Sequence, residues 1–92
     1  MKLLDFVVRD SIIVDLQATT KEAAVREMVG GLNRAGQLAD GEVESVIRAI
    51  LNREELGSTG IGMGVAVPHT RHPTLQRLVG AVALSGTGVD FA

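Results

Sequence analysis

Cysteine is absent from this chain of 92 residues, and so are tryptophan and tyrosine. The missing cysteine removes disulfides, thiolate metal sites and sulfur nucleophiles together, and it fits a reducing compartment. Phe6 and Phe91 are the only aromatic side chains, so no platform exists for stacking nucleic-acid bases. A surplus of positive charge is missing too. The formal net charge is -2 and the sequence pI is near 5.6, which leaves no electrostatic footprint for DNA or RNA. Long apolar runs are also lacking. Asp5, Arg9 and Asp10 interrupt the N-terminal stretch, which therefore does not read as a signal peptide, and nothing approaches membrane-spanning length. The expectation is one small cytoplasmic domain with no nucleic-acid partner and no direct membrane insertion. Its core must be built from Ala, Val, Leu and Ile, and its stability margin should be modest.

What is present divides at Gly57. Before it, Ile12, Val14 and Leu16 fall on one side of a short extended segment. Thr19 followed by Glu22 gives a capping box for a first helix, with Ala24, Val25, Met28, Val29 and Leu32 on its buried face and Gly36 as its stop. Gly30 and Gly31 weaken the interior of that helix. A second helix starts at Asp40, with Val43, Val46, Ile47, Ile50 and Leu51 as its core stripe. The short link predicts an antiparallel helix pair.

From Gly57 to Gly64, glycine at every second or third position excludes a regular helix and predicts a shaped loop. That loop leads into a short strand, Val65-Ala66-Val67, halted by Pro68, and a turn from His69 to Pro73. The apolar run from Leu78 to Leu84 predicts a strand buried on both faces. A sheet this apolar needs layers above and below, and two helices cover only part of that, so the domain reads as incomplete within these residues.

The stretch from Arg53 to His69 carries the chemistry. A glycine-rich loop lets backbone amides approach an anion, and carboxyl ends of strands are where open α/β sheets bind ligands. His69 sits there after a rigid proline, and neutral imidazole is a competent phosphoryl acceptor near pH 7. The residues alone also allow blander roles. His69 can be a surface turn residue, Arg53 a cation favoured by its helix C-terminus, and Ser58 and Thr59 no more than loop formers. The glycines form neither a dinucleotide fingerprint nor a P-loop, since no Gly-Lys-Ser/Thr follows and the loop precedes a strand. His69 and His72 have a His-x-x-His spacing, but prolines bracket them and no acid or cysteine is nearby, so no metal site and no cofactor are expected.

Seventeen contiguous residues make a more specific case: Arg53-Glu54-Glu55-Leu56-Gly57-Ser58-Thr59-Gly60-Ile61-Gly62-Met63-Gly64-Val65-Ala66-Val67-Pro68-His69. This run resembles the signature of enzyme IIA domains of the phosphotransferase system, of the fructose/mannitol type with its nitrogen-regulatory relatives. Residues 1–92 would then form the N-terminal two-thirds of such a type-2 domain, and the fold the resemblance implies is α/β, a mixed β-sheet flanked by helices, incomplete here. The resemblance implies that His69 is the phosphorylated histidine and Arg53 the active-site arginine, whose planar charged fork suits a phosphoryl group in flight. It also implies phosphate contacts from Ser58 and Thr59. The implied donor is an HPr-like phosphocarrier protein, and the implied recipient is a IIB domain in sugar transport. In a nitrogen-type regulatory module, phosphorylation would instead control binding of a target protein. Arg71 and His72 read as solvated surface, with Arg71 a candidate aid to docking. The family's second active-site histidine would lie beyond Ala92.

Overall fold

The computed structural model describes residues 12–62, 64–70 and 80–91. Four elements follow one another: helix α1 (Lys21–Arg34), helix α2 (Asp40–Glu55), strand β1 (Gly60–Gly62) and strand β2 (Val65–Ala66). The two helices pack on each other, and β1 pairs with β2 antiparallel, so the architecture is α/β.

Helix α1 begins one residue later than the sequence pattern suggests. Thr20, in extended conformation, is the N-cap, and its hydroxyl accepts from the Ala23 amide at 3.3 Å. The Thr19–Glu22 capping box does not form. The reason lies in what the neighbouring groups already do: the Thr19 carbonyl accepts from Asp90 N–H, and Glu22 turns along the helix to Arg26. The helix ends as Gly36 predicts. At φ +79°, Gly36 N–H donates to Asn33 O while Gln37 N–H donates to Leu32 O, the paired bonds of a Schellman cap. Ala39 replaces Asp40 as the N-cap of α2, with Asp40 in the first helical position. Glu42 supplies half a capping box by accepting from Ala39 N–H at 3.1 Å.

The predicted stripes meet as expected. Val25, Val29, Leu38, Val46 and Ile47 form the buried cluster, with Leu32, Val43, Ile50, Leu51 and Phe91 packed around it. On the outside of the pair, Arg26 bridges Glu22 of its own helix and Glu44 of α2, an exposed arrangement that salt will screen.

The segment before α1 departs from strict alternation. Ile12 and Val14 are exposed while Leu16 is buried, because the chain bends at Val14 and Asp15. Ile13 instead pairs in parallel with Ala83, and Thr20 pairs with Asp90, so residues 12–20 run beside 82–90. The Glu27 carboxylate accepts from the Gln17 and Ala18 amides and ties this segment to α1. Residues 71–79 lie outside the described part, and with them the turn through Arg71, His72 and Pro73 and the start of the apolar run. Within the described end of that run, Ala81, Val82 and Ala83 are half-buried and Leu84 is exposed, so burial on both faces does not extend to these residues. Among the described residues their hydrogen-bonded neighbour is the short irregular segment at Ile13 to Leu16.

Burial predicts the response to core truncation. Ile47→Ala removes a side chain that is 3% exposed and should cost about 2–5 kcal/mol, whereas Val14→Thr at the surface should change stability by less than about 0.5 kcal/mol; urea unfolding followed by circular dichroism measures both.

Candidate functional site

The segment from the end of α2 to His69 folds back on itself through a short hairpin. The sequence alone predicts a loop before the strand; in the structure the loop itself contributes β1, with Gly60 opposite Ala66 and Gly62 opposite Val65. Gly62 at φ +86° and Gly64 at φ +74° flank the turn, a conformation that residues with a Cβ avoid. The hairpin is extended by one further bond, from Val67 N–H to Thr59 O at 3.2 Å. Pro68 then ends the pairing, and His69 follows with its side chain exposed.

His69 Nδ1 lies 2.8 Å from the Val67 carbonyl oxygen. A carbonyl can only accept, so in the neutral ring Nδ1 carries the proton and Nε2 carries the lone pair. Arg53, in the last turn of α2, donates from Nη1 to Gly57 O at 2.9 Å. That bond ties the helix end to the start of the loop with one of the five donors of the guanidinium. Ser58 Oγ donates to Phe91 O and accepts from Gly60 N–H, each at 3.0 Å. Thr59 is buried, and both its amide and its hydroxyl donate to the Glu54 carboxylate. All four candidates therefore belong to one continuous segment, with Ser58 and Thr59 engaged in bonds that shape it.

Glu54 has no predicted role, yet it is the most constrained polar group in the region. Its side chain is 2% exposed and sits 3.1 Å from Lys21 Nζ. Lys21 lies in the first turn of α1, and its ammonium also stands over the Phe91 ring, 5.0 Å from the centroid. Each of these charges opposes its own helix. A cation at a helix N-terminus and an acid at a helix C-terminus are both disfavoured by the macrodipole. Placed against each other, they satisfy one another and the loop. Burial works against ionisation of Glu54, but the Thr59 hydroxyl, the Thr59 amide and Lys21 outweigh it, so the carboxyl lies below the usual glutamate range. The signal that sequence reasoning could have used is this placement: an acid in the last turn of α2, five residues before a threonine that must be buried.

A surface hollow of about 370 Å³ opens beside this pair, lined by Lys21, Glu22, Leu51, Glu54 and Glu55. None of the four sequence candidates lines it. Among the described residues no three His, Cys, Asp or Glu side chains cluster as a metal site would require, and the His69–His72 pairing lies partly outside those residues. No helix among the described residues is long and apolar enough to cross a membrane.

The segment thus presents a hairpin that ends in Pro-His, placed after a packed helix pair and shaped by a Ser-Thr-Gly loop. Comparison with known proteins identifies the family. Residues 5–92 match the family described as "Phosphoenolpyruvate-dependent sugar phosphotransferase system, EIIA 2", and the chain belongs to that family. Among curated relatives, the "PTS system fructose-specific EIIABC component" of Bacillus subtilis is 36% identical over 99% of this chain and 14% of its own length. The "Nitrogen regulatory protein" of Bradyrhizobium diazoefficiens is 32% identical over 99% of this chain and 58% of its own. The "PTS system fructose-specific EIIA component" of Haloferax volcanii is 32% identical over 78% of this chain and 46% of its own. The chain thus spans less than two-thirds of the length of these relatives. No solved structure matches significantly.

The ion pair predicts a pH response. A carboxyl whose native pKa is depressed stabilises the fold above its unfolded value, about pH 4.3, and loses that contribution as pH falls through the native pKa. Lys21→Met removes one of the groups that hold Glu54 ionised, so acid unfolding should begin at higher pH than in the wild type. Circular dichroism along an acid titration measures the midpoint, and an unchanged midpoint would contradict the assignment.

Proposed function

We propose that this chain accepts a phosphoryl group on Nε2 of His69 from an HPr-like phosphocarrier protein and passes it to a IIB domain of a sugar phosphotransferase system. The observation that carries the reading is the bond from Nδ1–H to the Val67 carbonyl, which points the proton inward and leaves Nε2 with its lone pair on an exposed ring. Membership of the EIIA type-2 family supplies the reaction class.

In the proposed step the Nε2 lone pair attacks phosphorus. The Nε2–P bond forms as the carrier's bond to phosphorus breaks, and the carrier's own acceptor atom takes the electron pair. Transfer onward reverses these roles at the recipient. The fixed Nδ1–H bond lets positive charge that develops on the ring be shared with a carbonyl oxygen. Arg53 supports the reading as a permanently charged fork at the mouth of the loop, suited to phosphoryl oxygens whose charge spreads in transfer. Ser58 and Thr59 contribute to phosphate binding through the loop they shape.

A regulatory role is the second reading. It is favoured by the nitrogen regulatory relative, which aligns with nearly the whole chain and of which the chain covers the larger share. There the phosphorylation state of His69 would govern binding of a target protein.

Incubation with phosphoenolpyruvate, enzyme I and HPr should give an acid-labile, base-stable phosphate on the wild type and none on His69→Ala. Arg53→Ala should slow labelling on the order of 10²-fold, as expected for losing one preorganised charge donor. Full labelling of His69→Ala would remove the acceptor assignment, and wild-type rates for Arg53→Ala would remove the arginine. Transfer from the labelled chain to any of a panel of IIB domains favours the sugar reading over the regulatory one.

A further inference from the structure

Four hydrogen-bonded links run without a gap from the first turn of α1 to the exposed ring. Lys21 Nζ meets Glu54 Oε1 at 3.1 Å. The Glu54 carboxylate accepts the Thr59 amide on Oε1 and the Thr59 hydroxyl on Oε2. The Thr59 carbonyl accepts Val67 N–H at 3.2 Å. The Val67 carbonyl accepts His69 Nδ1–H at 2.8 Å. We propose that Glu54 is a positioning residue for the acceptor histidine, fixing the place of the Val67 carbonyl through Thr59 and thereby the tautomer and orientation of the His69 ring.

Two of the three polar groups on the Thr59 residue are held by one buried carboxylate, and the third is the carbonyl that receives Val67. Thr59 therefore has little freedom to rotate, and the end of the hairpin inherits its position. Val67 in turn is half-fixed: its amide is bound to Thr59 and its carbonyl holds the imidazole. Glu54 never touches the ring, so its influence must pass through these bonds. The cost of burying it is a further pointer. A carboxylate opposed by its helix dipole and withdrawn from water is retained here only because its acceptors are filled from the loop and from Lys21.

The role in transfer rests on phosphoryl acceptance by His69, so the test reads the ring itself first. In a His72→Gln background one imidazole remains, and its long-range ¹⁵N spectrum at about pH 8.5, well above the usual histidine range, reports the neutral tautomer. The wild type should show Nδ1–H as the major form, the opposite of the preference of free histidine. Glu54→Ala should return the ring to mainly Nε2–H. Glu54→Gln, which keeps the volume and one acceptor oxygen, should fall between the two. Circular dichroism checks that the helices persist; if Glu54→Ala does not fold, the Gln variant alone decides. Wild-type tautomer ratios in every folded variant would overturn the proposal.

Labelling kinetics supply the second readout. With enzyme I and HPr, Glu54→Gln should lower kcat on the order of tenfold to 10²-fold with KM for the phosphocarrier nearly unchanged, since misplacing a reacting group costs rate more than docking. A rise in KM alone would overturn the positioning role. A wild-type chain that takes no label while its ring follows the expected tautomer series would sink the phosphoryl-acceptor reading and leave the positioning of His69 by Glu54 standing.

Discussion

The buried carboxylate of Glu54 is the constraint on which the site depends. It is the one acidic group among the described residues that is almost fully withdrawn from water, and it gathers three donors from two different parts of the chain. Without them it would be an uncompensated charge in the interior, which is among the costliest defects a small domain can carry. With them it joins the start of α1, the end of α2 and the loop into one unit. The helix core of Val25, Val29, Leu38, Val46 and Ile47 then has a second function, since it sets the spacing at which Lys21 and Glu54 can meet.

Around that unit the molecule separates binding from support. The helices supply the frame, and the end of α2 with the hairpin carries the candidate residues Arg53, Ser58, Thr59 and His69. Arg53 lies next to Glu54 in the sequence, so the residue proposed to meet phosphate and the residue proposed to hold the loop share one helical turn. Their side chains diverge: Glu54 is buried against Thr59, while Arg53 reaches the Gly57 carbonyl at the solvent edge. Phe91 closes the other side, its ring under the Lys21 ammonium and its carbonyl on Ser58.

Much of this was legible before any coordinates. The apolar spacing of Val25, Val29, Val46 and Ile47 identified the two helices and their shared face, because helical periodicity records burial directly. Gly36 marked a helix end for the conformational reason found there. The Arg53 to His69 run identified the family. Other features were not legible. Thr19 and Thr20 are chemically alike, and only the bond that Thr19 makes to Asp90 decides which of them caps α1. The loop concealed strand β1, since glycines carry no side-chain alternation to read. Alternation also misled at Ile12, Val14 and Leu16, where a bend resets the faces. The Lys21–Glu54 pair was invisible for a different reason: each charge sits at the helix end where local rules would not place it, and the partner that explains it is far away in the sequence.

The bonds that hold the hairpin have a bearing on how the molecule assembles. Glu54 to Thr59, Thr59 to Val67 and Val67 to His69 all join residues close together in the chain, and α2 precedes them directly. The parallel pairings of Ile13 with Ala83 and Thr20 with Asp90 instead close a span of about seventy residues, where loop entropy is greatest. Contacts of low separation are the inexpensive ones to form early, and parallel pairing between distant segments is slow. The His69 end of the hairpin thus rests mainly on contacts between sequence neighbours, while Ser58 to Phe91 and Lys21 to Glu54 tie the loop to distant parts of the chain.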